Sequence, residues 1–316
     1  MSINWYPGHM HKARKEILEV LPKIDVIIEI VDARIPYSSE NPVIAELKGS
    51  KPCIKLLSKA DLADPEMTQA WKTHLNTEKN IQSLAINSRN AGETKQVFDL
   101  IRKLAPNTIA KTRKIQVLVI GIPNVGKSTL INALAGRSAA KVGNEPAVTK
   151  AQQQIHIADD IVLNDTPGIL WPKVENPNSG YRLAVTGAIR DTAIEYEDIA
   201  LYAIRFFAQA MPDVLAKRYQ MEVQVDLENP DWDIALLEAI GKKRGAKAAG
   251  GRVNFHKAAE ILIHDYRSGG LGNLTLETPE MKIAEEIEVA RVRAEKAAAL
   301  AEKKALEKQK RSGKRH

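Results

Sequence analysis

One cysteine, four tryptophans and 5% aromatic residues are a thin supply for a chain of 316 residues. Cys53 alone can close no internal disulfide, which suits a reducing cytoplasm, and inside Cys53-Ile54-Lys55-Leu56-Leu57 it is expected to be a small core residue. The seven histidines are scattered, so a His/Cys metal site is not supported. Long apolar runs are missing too. The best are short and interrupted, as by Glu29, and the first residues form no signal-type apolar region; the expectation is no membrane span, a cytoplasmic location and a monomer in solution. There is no repeat of 20–50 residues. Net charge is +7 but uneven: Met281 to His316 holds eleven Lys/Arg and six Asp/Glu, leaving only about +2 for the rest. That tail reads as a charged helix or a disordered arm, and the sequence leaves both open.

Against these absences stands Gly121-Ile122-Pro123-Asn124-Val125-Gly126-Lys127-Ser128-Thr129, a full G-x-x-x-x-G-K-[ST] loop after the apolar run Ile115 to Ile120. The glycines let backbone N–H groups face phosphate oxygens. Lys127 brings charge to the β- and γ-phosphates, and the Ser128 hydroxyl can ligate Mg²⁺. A helix from Lys127 to Ala135 would present its positive end to the same anion. The chain is therefore read as binding a nucleoside triphosphate. Asp165-Thr166-Pro167-Gly168 follows Gly121 by 44 positions, behind Ile161-Val162-Leu163. Asp165 would hold Mg²⁺ and the Gly168 N–H would meet the γ-phosphate, making the loop a sensor of hydrolysis.

Ser58-Lys59-Ala60-Asp61, after the Cys53–Leu57 run, resembles the Asn-Lys-x-Asp guanine motif of GTPases with Ser58 in place of Asn. A carboxylate at Asp61 would accept from two guanine donors that adenine does not present together, and leaving it unpaired is costly. Ile86-Asn87-Ser88 resembles the last guanine-contacting loop, giving Asn87 and Ser88 as further nucleotide contacts. Both lie before the phosphate loop, whereas ordinary GTPases place them after it. The motif order is circularly permuted.

Trp5-Tyr6-Pro7-Gly8-His9-Met10, Val31-Asp32-Ala33-Arg34-Ile35-Pro36, the permuted order and Leu183-Ala184-Val185-Thr186-Gly187-Ala188-Ile189 together resemble the YlqF/RbgA family of circularly permuted ribosome-biogenesis GTPases. The likeness covers about residues 1–275. It implies GTP as substrate and a late step of large (50S) subunit assembly through rRNA contact, the large-subunit precursor being the partner. Ile169 stands where Ras-type GTPases carry a water-positioning Gln. His9 is the candidate to orient water instead, since the permutation should set Pro7 to Met10 beside the Asp165–Gly168 loop. Asn124 matches GTPases that bind K⁺ next to the phosphates. Thr149, 21 residues after Ser128, matches the switch threonine over Mg²⁺ and γ-phosphate. Lys242, Lys243, Arg244, Lys247 and Arg252 form a basic, Gly-containing cluster suited to rRNA backbone. Two other functions stay open: a nucleotide-gated RNA-binding module with little turnover, and a K⁺-dependent GTPase in RNA modification.

The expected fold is α/β, a P-loop GTPase domain over 1–175, then a smaller helical RNA- or ribosome-binding domain over 176–275 and the basic tail over 276–316. Strand-like runs at 26–31, 53–57, 81–86, 115–120 and 161–164 alternate with helical segments at 42–48, 66–78, 93–105 and 127–135, as a parallel sheet covered by helices requires. Residues 154–157 should form a hairpin with 161–164, with Asp159-Asp160 in the turn. Pro172 to Gly180 reads as a linker.

Overall fold

Strand β1 (Val26–Asp32) is buried along its whole length at the middle of a six-stranded sheet, in a computed structural model that describes residues 15, 17–87, 90–106, 108, 113–140, 153–165, 174–189 and 195–312. The other strands are β2 (Cys53–Ser58), β3 (Ile81–Ala85), β4 (Ile115–Gly121), β5 (Gln153–Ala158) and β6 (Ile161–Asp165), in the spatial order β3-β2-β1-β4-β6-β5. All pair in parallel except β5, which returns antiparallel on β6 through Asp159 and Asp160, the expected hairpin. The sheet grows one way from β1 through β2 and β3 and the other way from β4 through β6. The seam between β1 and β4 is thus a topological switch point, where α/β sheets bind ligands beyond the strand ends.

Register lines the motifs up along that edge. Asp32 pairs with Ser58, Ile30 with Gly121, and Val119 with Asp165. Alternate β1 residues face two cores. Val26, Ile28 and Ile30 join Leu56, Val117, Val119 and Leu130 on one side; Ile27 and Val31 join Cys53, Leu57, Trp71 and Leu75 on the other. Burial pushes the Cys53 thiol up to about 12, so it is the inert core residue expected. Glu29 does interrupt an apolar run, but it is buried: its carboxylate meets Lys55 Nζ at 2.8 Å on the neighbouring strand and accepts from Asn41 N.

The helices between strands are α1 (Pro36–Ser39), α2 (Pro42–Leu47), α3 (Pro65–Leu75), α4 (Ala91–Leu104) and α5 (Lys127–Ala135). After the sheet come α6 (Pro177–Val185), α7 (Tyr196–Ala210), α8 (Pro212–Tyr219), α9 (Trp232–Lys243) and α10 (Phe255–Arg267). Their apolar residues, among them Leu183, Ile204, Phe207, Leu237 and Leu262, continue the first core without a break. The linker expected over Pro172–Gly180 is corrected: helix α6 starts inside it. Asn176 Oδ1 accepts from Asn178 N and Pro177 takes the first turn, where its missing N–H costs nothing. The chain forms two compact units, Met1–Glu277 and Thr278–His316; the described residues of the second form one helix, α11 (Pro279–Ser312), the helical alternative for the tail. Among the described residues no single helix is long and apolar enough to cross a membrane.

Candidate nucleotide site

The phosphate loop leaves β4 and turns into α5 as its spacing demands. A Cβ on Gly121 would lie 2.9 Å from Val125 and 3.0 Å from the Ile30 carbonyl, so only glycine lets the loop fold back over β1. Gly126 caps α5 at φ +97°, a left-handed conformation that favours glycine, with no side chain capping the first turn. Lys127 is buried with its ammonium on the Asp165 carboxylate, which closes β6. Ser128 and Thr129 follow in the first turn of α5, both partly buried. Ser128 and Asp165 offer the hard oxygen donors that suit Mg²⁺.

The two loops that sequence alone put 63 residues apart, Ser58–Asp61 and Gly121–Thr129, are joined directly. Ser58 Oγ donates to Val125 O at 2.6 Å and reaches Val31 O at 3.0 Å. Lys59 Nζ donates to Asn124 O at 2.8 Å and to Asp32 Oδ2 at 2.9 Å. The replacement of Asn by Ser58 therefore keeps a polar tie to the phosphate loop. Lys59 itself sits at φ +56°, turning the chain into a 3₁₀ turn over Ala60–Leu62 that carries the exposed Asp61. Asn87 lies beside it. Ala60 N bonds Ile86 O, and Glu93 of α4 fixes this second loop by accepting from Asn87 N at 2.6 Å.

Behind the Lys59 tie is a denser charge cluster. Arg34 is 2% exposed and grips Asp32 through Nε (2.9 Å) and Nη2 (2.8 Å), with its face over the Tyr266 ring. Burial would raise the Asp32 pKa, but the Arg34 and Lys59 cations hold it well below the usual carboxylate range. On the phosphate side, Asn124 Nδ2 donates to Gly187 O at 2.8 Å, and Arg267 from the end of α10 donates to Val185 O and Ala184 O. The Leu183–Ile189 motif thus backs the phosphate loop.

Of the residues expected in the site, Ser58, Lys59, Ala60, Asp61, Asn87, Asn124, Val125, Gly126, Lys127, Ser128, Thr129 and Asp165 come together at this edge. His9, Ser88, Thr149 and Gly168 lie outside the described residues. Sequence reasoning passed over Asp32 and Arg34 as a working pair, although it quoted their motif, and it missed Arg267 and Glu277 altogether. The basic cluster forms at one place. Lys242, Lys243 and Arg244 close α9, and a bridge between Lys247 and Val253 folds the following loop so that Lys247 and Arg252 are both exposed. Arg244 is not a free arm: it stacks on Tyr219 and lies 3.5 Å from Asp265, which also holds Arg218 at 2.6 Å.

Ribosome biogenesis GTPase A of Bacillus licheniformis is 47% identical over 287 residues, covering 89% of this chain and 99% of its own length. The chain belongs to the ribosome biogenesis GTPase A family. A mitochondrial ribosome-associated GTPase 1 from Mus musculus, 32% identical over 86% of this chain and 89% of its own, extends the likeness beyond bacteria. The family model described as a 50S ribosome-binding GTPase matches residues 116–229. That span starts at the phosphate-loop strand and leaves out both guanine-type loops, as the permutation demands. The GDP-bound and GNP-bound forms of YlqF from T. maritima share the fold, at TM-scores of 0.60 and 0.57 and 23% identity, covering 84–85% of this chain and 99% of theirs. The permuted P-loop GTPase fold with helices after it is what the motif order foretold, and membership of the family makes this chain a GTPase acting in ribosome biogenesis.

Proposed function

We propose that the chain hydrolyses GTP at a late step of large ribosomal subunit assembly, in contact with rRNA of the 50S precursor, as a cytoplasmic monomer. The observation that carries the nucleotide part is the double tie of Ser58 and Lys59 to the phosphate loop, which sets a guanine-type loop and a phosphate cradle on one edge. The ribosomal part rests on the likeness to ribosome biogenesis and ribosome-associated GTPases and to the 50S ribosome-binding GTPase family.

In this reading backbone N–H groups of the loop and Lys127 bind the β- and γ-phosphates, and Asp61, together with Lys59, Asn87 and Ser88, selects guanine. Lys127 would leave Asp165 for the phosphates. Ser128, Thr149 and Asp165 would hold Mg²⁺, which supplies charge against the developing phosphate charge. Asn124 would hold K⁺ through its side-chain oxygen; the bond from Nδ2 to Gly187 O supports this by fixing which end of the amide is oxygen. Gly168 would sense the γ-phosphate, and His9 would orient the attacking water. Lys242, Lys243, Arg244, Lys247 and Arg252, together with the tail, would meet rRNA phosphates, the domain division at about 175 and 275 following these roles.

Turnover measured with and without 50S precursor particles, together with co-sedimentation, tests the proposal. Stimulation by the particles and binding in the GTP form are expected. Binding without turnover would favour the nucleotide-gated RNA-binding module, and turnover without binding would favour an enzyme of RNA modification. His9→Ala is expected to leave GTP binding near parental and to lower stimulated hydrolysis by about 10²-fold.

A further inference from the structure

The stretch that follows α10 turns back from the helices and crosses behind the guanine-type loop. The turn Gly269–Gly272 presses on Leu62, whose Cδ2 lies 2.9 Å from where a Gly269 Cβ would be. Leu274 N then donates to Leu62 O at 3.1 Å, at the end of the very 3₁₀ turn that carries Asp61. Thr275 Oγ1 accepts from Asp64 N at 3.1 Å, just ahead of α3, which Asp64 caps through Met67 N. Leu276 N donates to Arg34 O at 2.8 Å.

Glu277 ends the run. Its carboxylate accepts from Tyr37 N at 2.7 Å, from Ser38 N, and from the Ser38 hydroxyl in a close contact, with Arg182 Nη1 at 3.4 Å. Its carbonyl accepts from Trp71 Nε1 at 3.0 Å. Leu274, Thr275, Leu276 and Glu277 are all nearly buried, so these bonds are made away from water, where a lost partner is costly. Four successive residues therefore hold Leu62, Asp64, Arg34, the start of α1 and the side chain of Trp71.

We infer that residues 274–277 are a strap that positions the guanine-recognition turn, with Thr275 and Glu277 as positioning residues for base selection. The inference rests on Asp61 being the guanine acceptor. Asp61 is exposed, and its own turn is one 3₁₀ turn long, closed by Leu62 N on Lys59 O and Ala63 N on Ala60 O. So short a turn has little stiffness of its own. A carboxylate that must meet two guanine donors at once needs its backbone held, and the strap supplies that hold through Leu62 O and Asp64 N.

Thr275→Val removes the acceptor for Asp64 N while keeping the shape, and Glu277→Gln keeps the packing but removes the charge. The test is steady-state hydrolysis of GTP and of ITP by the full-length chain, ITP lacking the exocyclic amine, with the active fraction measured for each variant. Thr275→Val is expected to raise the KM for GTP about 3- to 10-fold, with kcat within about twofold and a matching fall in the GTP-over-ITP preference. Glu277→Ala is expected to move KM by about tenfold or more, and Glu277→Gln carries the same readout if the alanine variant does not fold. A purely structural role would instead lower the active fraction and the melting temperature and leave KM and base preference unmoved; that result overturns the strap. Asp61→Asn, run alongside, separates the two ideas. If it loses guanine preference while the strap variants keep theirs, the strap alone is wrong. If Asp61→Asn keeps parental preference, the guanine-loop assignment falls and the strap inference falls with it.

Discussion

Two lysine–aspartate pairs lie side by side at the sheet edge and differ in what else holds them. Lys127 meets Asp165 at the mouth of the phosphate loop, between the first turn of α5 and the end of β6. Lys59 meets Asp32 one strand away, but its ammonium also holds Asn124 O, and Asp32 is shared with Arg34, which has 2% of its surface exposed beneath Tyr266. The first pair joins a buried ammonium to a buried carboxylate. The second is a knot of three charges and a backbone carbonyl. Under the proposed function, the first buried pair would be a reserve that a phosphate releases, and the second would be scaffolding.

Asp32→Asn is the largest expected break, because it strands the buried Arg34 guanidinium. Loss of about 3–5 kcal/mol of folding stability is expected in urea unfolding; a change under 1 kcal/mol would place Asp32 with the exchangeable groups. Next is Lys127→Ala, expected to keep the fold and lower kcat/KM for GTP by roughly 10²–10³-fold. A stability loss as large as that of Asp32→Asn would erase the contrast.

Glu277 is a third buried carboxylate, and its case turns on pH. Burial pushes it up to about 7, against the Arg182 guanidinium and the Ser38 and Tyr37 donors that favour its charged form. A carboxyl raised in the fold contributes stability that is complete below its ordinary value near 4.5 and fades as pH rises through about 7. Between pH 5 and 8 the parent should lose about 1–3 kcal/mol relative to Glu277→Gln. Parallel pH curves for the two would mean the donors keep Glu277 charged throughout.

Lys59→Met removes both bonds of the inner knot but keeps the stem. GDP affinity is expected to fall about tenfold, through a loosened phosphate loop. Unchanged affinity would show Ser58 to be a sufficient tie. The smallest effect expected is on cation choice: hydrolysis several-fold faster in KCl than in NaCl at matched ionic strength. Equal rates would leave Asn124 an ordinary loop residue.

The sheet was legible because its strands are short apolar runs with helical segments between, and each of the six appears within two residues of its expected bounds. The phosphate and guanine-type loops were legible as fixed spacings. Asn176 and Pro177 misled because the same residues that break chains into turns also start helices, and only the capping bond tells the two apart. Lys59 was recognised as a motif residue, yet its partners, Asp32 on β1 and Asn124 in the phosphate loop, are far off in sequence and leave no local pattern. The strap was hidden for the same reason: Thr275 and Glu277 look like ordinary loop residues, and their partners are more than 200 positions away. Arg34 and Arg267 differ from exposed arginines only by what surrounds them.

That distance has a consequence during synthesis. Tyr37 and Ser38 are made about 240 residues before the carboxylate that pairs with them. At usual translation speeds the wait is roughly 10–50 s. A growing chain can lay β1, β2 and β3 beside one another early and add the phosphate loop midway. Yet the back of the turn over Ala60–Leu62 stays uncovered until residues 274–277 emerge. Closing so long a loop is slow compared with local pairing. If residues 274–277 position the Asp61 turn as inferred, base selection would be completed only after they emerge, later than the phosphate loop Gly121–Thr129.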